Sequence, residues 1–252
     1  MSTAQHEIED AVIDAWPPAE FEELDGWGLR ASFGPTKRGN SVATLGAGHA
    51  LALDERIARA EAFYRARKLP PIFQVGPAAT PPGLDAELAA RGYRVTGEAV
   101  AAIAEPSEVV ARVVRTHETS LATSATEAWL SHAGHTSRFH DAYTVFTATL
   151  ARLGTRCRFV SVRNTRDAVV GTCLGITSED RLGIYGMLTT PEARRKGVAK
   201  SLLRALAEAA LSERMRELYL LVECENTVAR GFYAQAGFQE LFRYHYRIRD
   251  TA

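Results

Sequence analysis

The sequence predicts an α/β protein with a mixed, mostly antiparallel sheet flanked by helices. Apolar and β-branched runs at 157–162 and 168–176, separated by a polar turn, are typical of an antiparallel strand pair. A further apolar run at 182–188 is followed by a basic loop, and apolar residues then recur at helical spacing from Val198. A strand pattern at 218–222 comes after this helix, which indicates a parallel crossover within the same sheet.

The first hundred residues repeat this order of elements in outline. In both halves a helix, a strand, a second helix, a glycine-aromatic pair and a final strand follow one another. In the first half these patterns lie at 54–68, with Asp54 as predicted N-cap, and at 72–75, 82–91, Gly92-Tyr93 and 98–104. In the second half they lie at 198–211, 217–222, 227–236, Gly237-Phe238 and 241–249. The repeat predicts two similar halves, although two unrelated α/β units would give the same order.

We predict that the halves are residues 1–105 and 106–252, joined at Glu105-Pro106-Ser107. Before its first crossover helix, the N-terminal half has Gly46-Ala47-Gly48 and no cation. The second half has the basic loop Arg194 to Lys196 before its own crossover helix. Because the first half lacks such a loop, we expect it to be a degenerate, non-catalytic companion of the second.

Further patterns complete the expected set of elements. A short helix is predicted at 8–15, and strands at 26–33 and 40–45 are expected to form a hairpin. Helix patterns cover 108–128 and 139–153.

The composition excludes several classes of partner. Thirty basic residues balance thirty acidic ones, so the chain as a whole offers no broad attraction to nucleic acid or to an anionic membrane. The sequence has no apolar run of membrane-spanning length and no signal-peptide pattern, and we expect a soluble, cytoplasmic protein. Its three cysteines are widely separated in apolar surroundings, which predicts reduced core thiols and no metal site.

The basic loop before the helix at 198–211 has the features of an anion site. A helix N-terminus presents backbone N–H groups without intrahelical partners and the positive end of the helix dipole. Gly197 lets the backbone approach a ligand closely, and Arg194, Arg195 and Lys196 add positive charge. By itself, such a segment is also compatible with a solvated basic turn before an ordinary helix.

Two spaced motifs resemble those of the GCN5-related N-acetyltransferases. The frame Pro191-x-x-Arg194-x-x-Gly197-x-Ala199, between a strand and an amphipathic helix, resembles the acetyl-CoA loop of that family. The second signature follows another predicted strand and reads Asn226-x-x-Ala229-x-x-Phe232-Tyr233-x-x-x-Gly237-Phe238. The resemblance covers 157–249 by motif, and the first half only by element order.

The resemblance implies an N-acetyltransferase that moves acetyl from acetyl-CoA, as co-substrate, to a primary amine by direct attack. The diphosphate would lie on the N–H groups of Arg195 to Ala199, and the pantetheine along Met187 to Thr189. Backbone N–H groups near Leu188 and Thr189 would polarise the acetyl carbonyl. The implied coenzyme-binding residues are Met187, Leu188, Thr189, Arg194, Arg195, Lys196, Gly197, Val198, Ala199, Lys200, Asn226, Ala229, Phe232 and Tyr233.

Two side chains are the candidate catalytic groups. Tyr233 matches the position at which many members of the family place the tyrosine that protonates the leaving thiolate. Glu223, at the end of the strand before the second motif, is the candidate general base, with Glu225 as second choice. Asn226 also has the position of a helix N-cap.

The acceptor, a small molecule or a peptide bearing an amine, is not identified by the sequence. The resemblance places acceptor contacts in the loop at 131–138. The histidines of this loop, together with His140, suggest substrate contact or surface exposure more than a metal site. Transfer of a longer acyl group and a catalytically silent acyl-CoA sensor are the open alternatives. The oligomeric state is also open, a homodimer included.

Overall fold

The computed structural model describes residues 3–135 and 139–249, which divide into two compact units. Unit 1 comprises 3–100 and 242–249, and unit 2 comprises 101–135 and 139–241. The unit boundaries fall inside two strands, β5 (Arg94–Ala104) and β11 (Gln239–Ile248). The assignment of 1–105 and 106–252 as two related halves stays a prediction.

Unit 1 is built on a mixed sheet with one crossover helix. Its elements are α1 (Thr3–Asp14), β1 (Glu20–Leu24), β2 (Trp27–Ala31), β3 (Val42–Ala43), α2 (Leu53–Ala66), β4 (Ile72–Val75) and α3 (Leu84–Ala90), with parts of β5 and β11. β1, β2 and β3 pair antiparallel, β3 and β4 pair parallel, and β11 pairs antiparallel with β4. Helix α2 makes the parallel connection.

In unit 1 the sequence analysis missed one strand, and one local prediction was wrong. Strand β1 was not predicted, because its sequence, Glu-Phe-Glu-Glu-Leu, is mostly acidic and exposed. Asp54 is not the N-cap of α2, since the helix begins at Leu53 and Ala52 is its N-cap. Asp54 instead lies in the first turn, where a negative charge favours the helix dipole.

The core of unit 1 lies between the sheet and α2. Alternate residues of β2, Trp27 and Leu29, are buried and face Ile57 and Tyr64 of α2, which are fully buried. Trp27 also packs edge-on against Phe73 of β4, with ring centroids 5.6 Å apart. β2, β3 and β4 are buried at nearly every position, so both faces of this part of the sheet are covered.

A buried carboxyl group makes the stability of unit 1 depend on pH. Glu9 of α1 is 2% exposed, and its Oε1 accepts a hydrogen bond of 2.9 Å from the Ala78 N–H. Burial raises the pKa of Glu9 from 4.5 to about 7. The hydrogen bond from Ala78 lowers this pKa, and the nearby charge of Asp10 raises it. The folded state therefore holds a proton that the unfolded state releases at lower pH.

We expect the Glu9 contribution to the free energy of unfolding to be lost as pH rises. The contribution is complete below about pH 4.5 and disappears by about pH 7 to 8, and it is on the order of 3 kcal/mol at 1.4 kcal/mol per pKa unit. Glu9→Gln keeps the acceptor oxygen and should remove this dependence in urea unfolding at pH 5 and pH 8. The exposed Glu55→Gln is the control, and an unchanged pH dependence in Glu9→Gln would contradict the assignment.

The strands of unit 2 lie in the order β10-β9-β8-β7-β6. Its elements are α4 (Pro106–Arg112), β6 (Ser120–Ala122), α5 (Glu127–His135), α6 (Tyr143–Leu153), β7 (Cys157–Arg163), β8 (Val169–Ser178), β9 (Arg181–Thr189), α7 (Val198–Ser212), β10 (Glu217–Glu223) and α8 (Thr227–Gln235). β9 and β10 are parallel, and the pairs from β9 to β6 are antiparallel.

Helices α5 and α7 lie on opposite faces of this sheet. Thr172 of β8 contacts His132 of α5, whereas a Cβ on its neighbour Gly171 would meet Val198 and Leu202 of α7. Successive strand residues point to opposite faces, so the two helices cover different sides. The predicted fold class, a mixed and mostly antiparallel sheet flanked by helices, is confirmed.

The single helix predicted at 108–128 was wrong. α4 ends at Arg112, because the backbone of Val113 is extended, and the carbonyls of Val110 and Val113 accept hydrogen bonds from Arg204 of α7, at 2.8 and 2.7 Å. The chain then runs extended into the short strand β6. A side chain from another element thus satisfies carbonyls that a continuing helix would have used. Among the described residues, no helix is long and apolar enough to cross a membrane.

Candidate active site

The parallel strands β9 and β10 separate at one end of the sheet of unit 2. In the described part of the chain their ladder ends at the pair Ile184 and Leu220, although β9 continues to Thr189 and β10 to Glu223. The last residues of β9, Met187 to Thr189, are half-buried. A gap between two strands with partly exposed backbone can accept an extended ligand along one of them.

A β-bulge lies in β9 at the start of this gap. β9 and β8 pair at Tyr185 with Leu174 and at Leu188 with Thr172, so Gly186 and Met187 together lie opposite the single residue Cys173. Gly186 has φ of 54°, in the left-handed region that glycine adopts without strain. A glycine inside an apolar strand pattern is a signal for such a bulge that the sequence contained.

Tyr233 of α8 points toward the bulge. Its hydroxyl donates to Sδ of Met187 at 3.7 Å, and its half-buried ring packs edge-on against Phe232 and Phe238, with centroids 5.1 and 5.6 Å away. Burial, with a further contribution from Cys173, raises the pKa of the phenol well above its ordinary value. The hydroxyl is therefore protonated at neutral pH and can act as a proton donor.

The loop before α7 presents a run of backbone donors. Among the described residues, the N–H groups from Arg195 to Lys200 have no hydrogen-bond partner, and the next one, of Ser201, donates to the Gly197 carbonyl at 3.0 Å. Arg195 and Gly197 have φ of 59° and 86°, and these left-handed residues turn the chain sharply into the helix. Six consecutive free N–H groups at the positive end of a helix dipole form a site for an anion.

The positive side chains of the loop add to this field. Arg194, Arg195, Lys196 and Lys200 are exposed and make no ion pair within the described residues. Arg204, on the same helix as Lys200, is by contrast paired with Glu208. The charge of the loop is therefore not neutralised by neighbouring carboxylates.

Hydrogen bonds of Ser201 in α7 link the segment after α4 to this loop. The Ser201 hydroxyl is fully buried, accepts hydrogen bonds of 3.0 Å from the N–H groups of Thr116 and His117, and donates to the Gly197 carbonyl. A Cβ on Gly197 would clash with Oγ1 of Thr116. Sequence reasoning missed both Thr116 and Ser201, and the one signal for Ser201 was a serine next to the apolar stripe of the helix.

Ser201→Ala is expected to lower the free energy of unfolding by about 1–3 kcal/mol, because the three hydrogen bonds of a fully buried hydroxyl are lost. Ser212→Ala, at the exposed C-terminal end of the same helix, is the control and should cost less. Urea unfolding measures both. Equal losses of unfolding free energy in the two variants would show that the hydrogen bonds of the Ser201 hydroxyl do not stabilise this segment.

The remaining predicted residues occupy different environments. Val198 is 2% exposed, so only its backbone N–H faces the loop, and Ala199, Ala229 and Phe232 are half-buried. Oδ1 of Asn226 accepts a 3.0 Å hydrogen bond from the Ala229 N–H, which makes Asn226 the N-cap of α8.

Glu223, the predicted base, is exposed at the end of β10, where the gap opens. Its backbone carbonyl accepts from the Asn226 N–H at 2.9 Å. This contact links the end of β10 to the start of the helix that carries Tyr233. The catalytic role of Glu223 stays a prediction.

The predicted acceptor loop is only partly described. His132 of α5 is half-buried with Nδ1 3.0 Å from Oγ1 of Thr172, and burial lowers its pKa. Residues 136–138 and the side chain of His135 lie outside the described residues. Within the part of the chain that is described, no three His, Cys, Asp or Glu side chains are grouped to hold a metal ion.

The corresponding loop of unit 1, before α2, is filled by a carboxylate of the chain itself. Asp25 accepts hydrogen bonds of 2.9, 3.1 and 3.1 Å from the consecutive N–H groups of His49, Ala50 and Leu51. The Ala50 and His49 N–H groups lower the pKa of Asp25. Each of the two loops leads into the crossover helix between two parallel strands. In unit 1 the backbone N–H groups of this loop donate to Asp25, whereas in unit 2 the backbone N–H groups from Arg195 to Lys200 have no partner among the described residues.

Comparison with solved structures defines the class of protein. A GCN5-related N-acetyltransferase from Kribbella flavida matches 100% of this chain and 97% of its own, with a TM-score of 0.70 and 14% identity. A tandem GNAT protein from the clavulanic acid biosynthesis pathway, solved without AcCoA, matches 78% of this chain and 69% of its own, with a TM-score of 0.63 and 15% identity. These similarities show that the fold is that of the GNAT proteins.

The chain belongs to the family described as "Probable histone acetyltransferase Rv0428c C-terminal", which matches residues 3–247. It is also 27% identical over 253 residues to the "Uncharacterized N-acetyltransferase YobR" of Bacillus subtilis (strain 168), covering 96% of this chain and 97% of that protein. The protein is therefore a GNAT-type acetyltransferase, as the two motifs predicted. It is an acyltransferase enzyme, and the alternative of a silent acyl-CoA sensor is set aside.

Proposed function

We propose that the protein transfers the acetyl group of acetyl-CoA to a primary amine in the gap between β9 and β10. The observation that carries the proposal is the run of free N–H groups from Arg195 to Lys200, which ends at a helix N-terminus beside unpaired cations. A diphosphate offers several anionic oxygens to such a run of donors. The pantetheine then extends along Met187 to Thr189 toward Tyr233.

The proposed reaction is a direct attack without a covalent enzyme intermediate. The amine nitrogen forms a bond to the thioester carbonyl carbon, and backbone N–H groups near Leu188 and Thr189 stabilise the negative oxygen that results. The carbon–sulfur bond then breaks, and the thiolate takes the proton of the Tyr233 hydroxyl. The amine proton leaves to Glu223, directly or through water, and the tyrosinate recovers a proton from solvent.

A thiol-release screen with acetyl-CoA and a panel of amines tests this proposal. Small amines, amino acids and a lysine-containing peptide belong in the panel, the peptide because the description of the family names a histone acetyltransferase. The Arg195→Glu/Gly197→Val double variant is the blank. We expect thiol release above the blank with at least one amine and a product heavier by one acetyl group. Calorimetry that detects no binding of acetyl-CoA to the folded protein would overturn the proposal.

We expect one coenzyme molecule per chain, because Asp25 already occupies the loop donors of unit 1. Calorimetric titration with acetyl-CoA should give a stoichiometry of one, and the double variant of the unit 2 loop should lose the binding completely. Asp25→Asn, which keeps one acceptor oxygen for the His49 and Ala50 N–H groups but removes the charge, is the control and should leave the stoichiometry at one. Two molecules per chain, or binding that survives the double variant, would contradict this assignment.

A further inference from the structure

We infer that the side chain of Met187 sets the length of the acyl group and restricts the donor to short-chain thioesters such as acetyl-CoA and propionyl-CoA. The inference rests on the proposed function, because it requires the thioester to lie beside Tyr233. It goes further in naming the residue that selects among acyl donors, a choice that the sequence left undecided.

The bulge in β9 brings Met187 to the Tyr233 hydroxyl. Because Gly186 and Met187 both lie opposite Cys173, the strand gains one residue and its side-chain alternation shifts at this point. The hydroxyl of Tyr233 donates to Sδ of Met187 at 3.7 Å. The thioether therefore lies at the proton donor of the proposed reaction.

The donor sulfur must come within hydrogen-bond reach of the same hydroxyl. General acid catalysis requires this contact between the phenol and the leaving thiolate. The acyl carbon is bonded directly to that sulfur, so the acyl chain begins next to the Met187 side chain. Each further methylene of the chain then competes with Met187 for space.

The residues next to the bulge are tightly packed. Cys173 is fully buried and its thiol donates to the Tyr185 carbonyl at 3.4 Å, while the Tyr185 hydroxyl donates to that of Tyr219 at 3.0 Å. A Cβ on Gly183 would lie 2.5 Å from Tyr219, so this layer is tightly packed. Met187 is half-buried and unbranched, and its Sδ accepts the hydrogen bond of the Tyr233 hydroxyl. Because the neighbouring groups are tightly packed, a longer acyl chain has to displace the Met187 side chain.

Binding measurements test the inference without an identified amine. Affinities of free CoA, acetyl-CoA and hexanoyl-CoA are measured by calorimetry for the wild type, Met187→Ala, Met187→Leu and Met187→Phe. In the wild type we expect hexanoyl-CoA to bind at least about 10-fold more weakly than acetyl-CoA. Met187→Ala should remove this preference, and Met187→Leu, of similar volume, should keep it. Met187→Phe should weaken acetyl-CoA relative to free CoA.

The possible outcomes separate the inference from the function on which it rests. If free CoA binds equally to all four proteins but Met187→Ala keeps the wild-type preference, Met187 does not limit the acyl chain and the inference is wrong. If Met187→Ala does not fold, an unchanged ratio of acetyl-CoA to free CoA affinity in Met187→Phe likewise shows that the inference is wrong. If the folded wild type binds neither free CoA nor its thioesters, the proposed function itself fails.

Discussion

Replacing Tyr233 with phenylalanine is expected to lower the turnover number by about 10²- to 10⁴-fold while the affinity for acetyl-CoA stays within about threefold. The ring contacts with Phe232 and Phe238 are retained, so the substitution removes only the hydroxyl that faces Met187. Because burial raises the pKa of the phenol, the wild-type group remains a proton donor throughout the neutral range. Steady-state rates with the amine found in the panel and calorimetry with acetyl-CoA measure the two quantities.

A second tyrosine provides the matched control for this substitution. The hydroxyl of Tyr93 donates to Oε1 of Glu61 at 2.9 Å in unit 1, so Tyr93→Phe also removes a partly buried phenol hydroxyl. We expect it to lower the thermal stability and to leave turnover unchanged. A Tyr233→Phe enzyme with nearly wild-type turnover would show that solvent, not Tyr233, protonates the thiolate.

Reversing the charge of the loop, with Arg194, Arg195 and Lys196 all changed to glutamate, is expected to weaken acetyl-CoA binding by at least about 100-fold. Three reversals change the local charge by six units, and about 0.5 kcal/mol for each unit at an exposed site amounts to about 3 kcal/mol. The melting temperature should hardly change, because these side chains are exposed and make no ion pair among the described residues. Calorimetry at low and high salt measures the effect, and the wild-type affinity should fall as salt increases.

The control for the loop variant reverses charges elsewhere on the surface. Arg59 and Arg65 are exposed on α2 in unit 1, and changing both to glutamate should leave coenzyme affinity unchanged. An equal loss in this control would mean that net charge, and not the loop, governs binding. Unchanged affinity in the triple variant would remove the loop from the coenzyme site.

The sequence predicted the elements around the proposed site closely because their signals are local. The strand expected at 182–188 is β9 at Arg181–Thr189, and the helix expected at 198–211 is α7 at Val198–Ser212. Strand alternation, helical spacing and a glycine at the helix start each depend on residues within a few positions of one another. The two motifs similarly predicted the family that the comparisons show.

Contacts between distant parts of the chain decided what the sequence could not. The predicted helix at 108–128 fails because Arg204, from α7, satisfies carbonyls near Val113. The loop of unit 1 is filled by Asp25, which lies more than twenty positions before the N–H groups it accepts from. Neither partner carries a local signal for the other, since each is an ordinary charged residue in its own segment.

The sequence by itself determined the class of fold, the strand–loop–helix order and the candidate residues of the second half, since hydrophobic period and turn chemistry are properties of short segments. The tertiary structure alone decided that the donors before α7 are free while those before α2 are occupied, and that the bulge directs Met187 to Tyr233. Which groups remain unpaired depends on what the rest of the chain brings to them, and that is a property of the folded molecule.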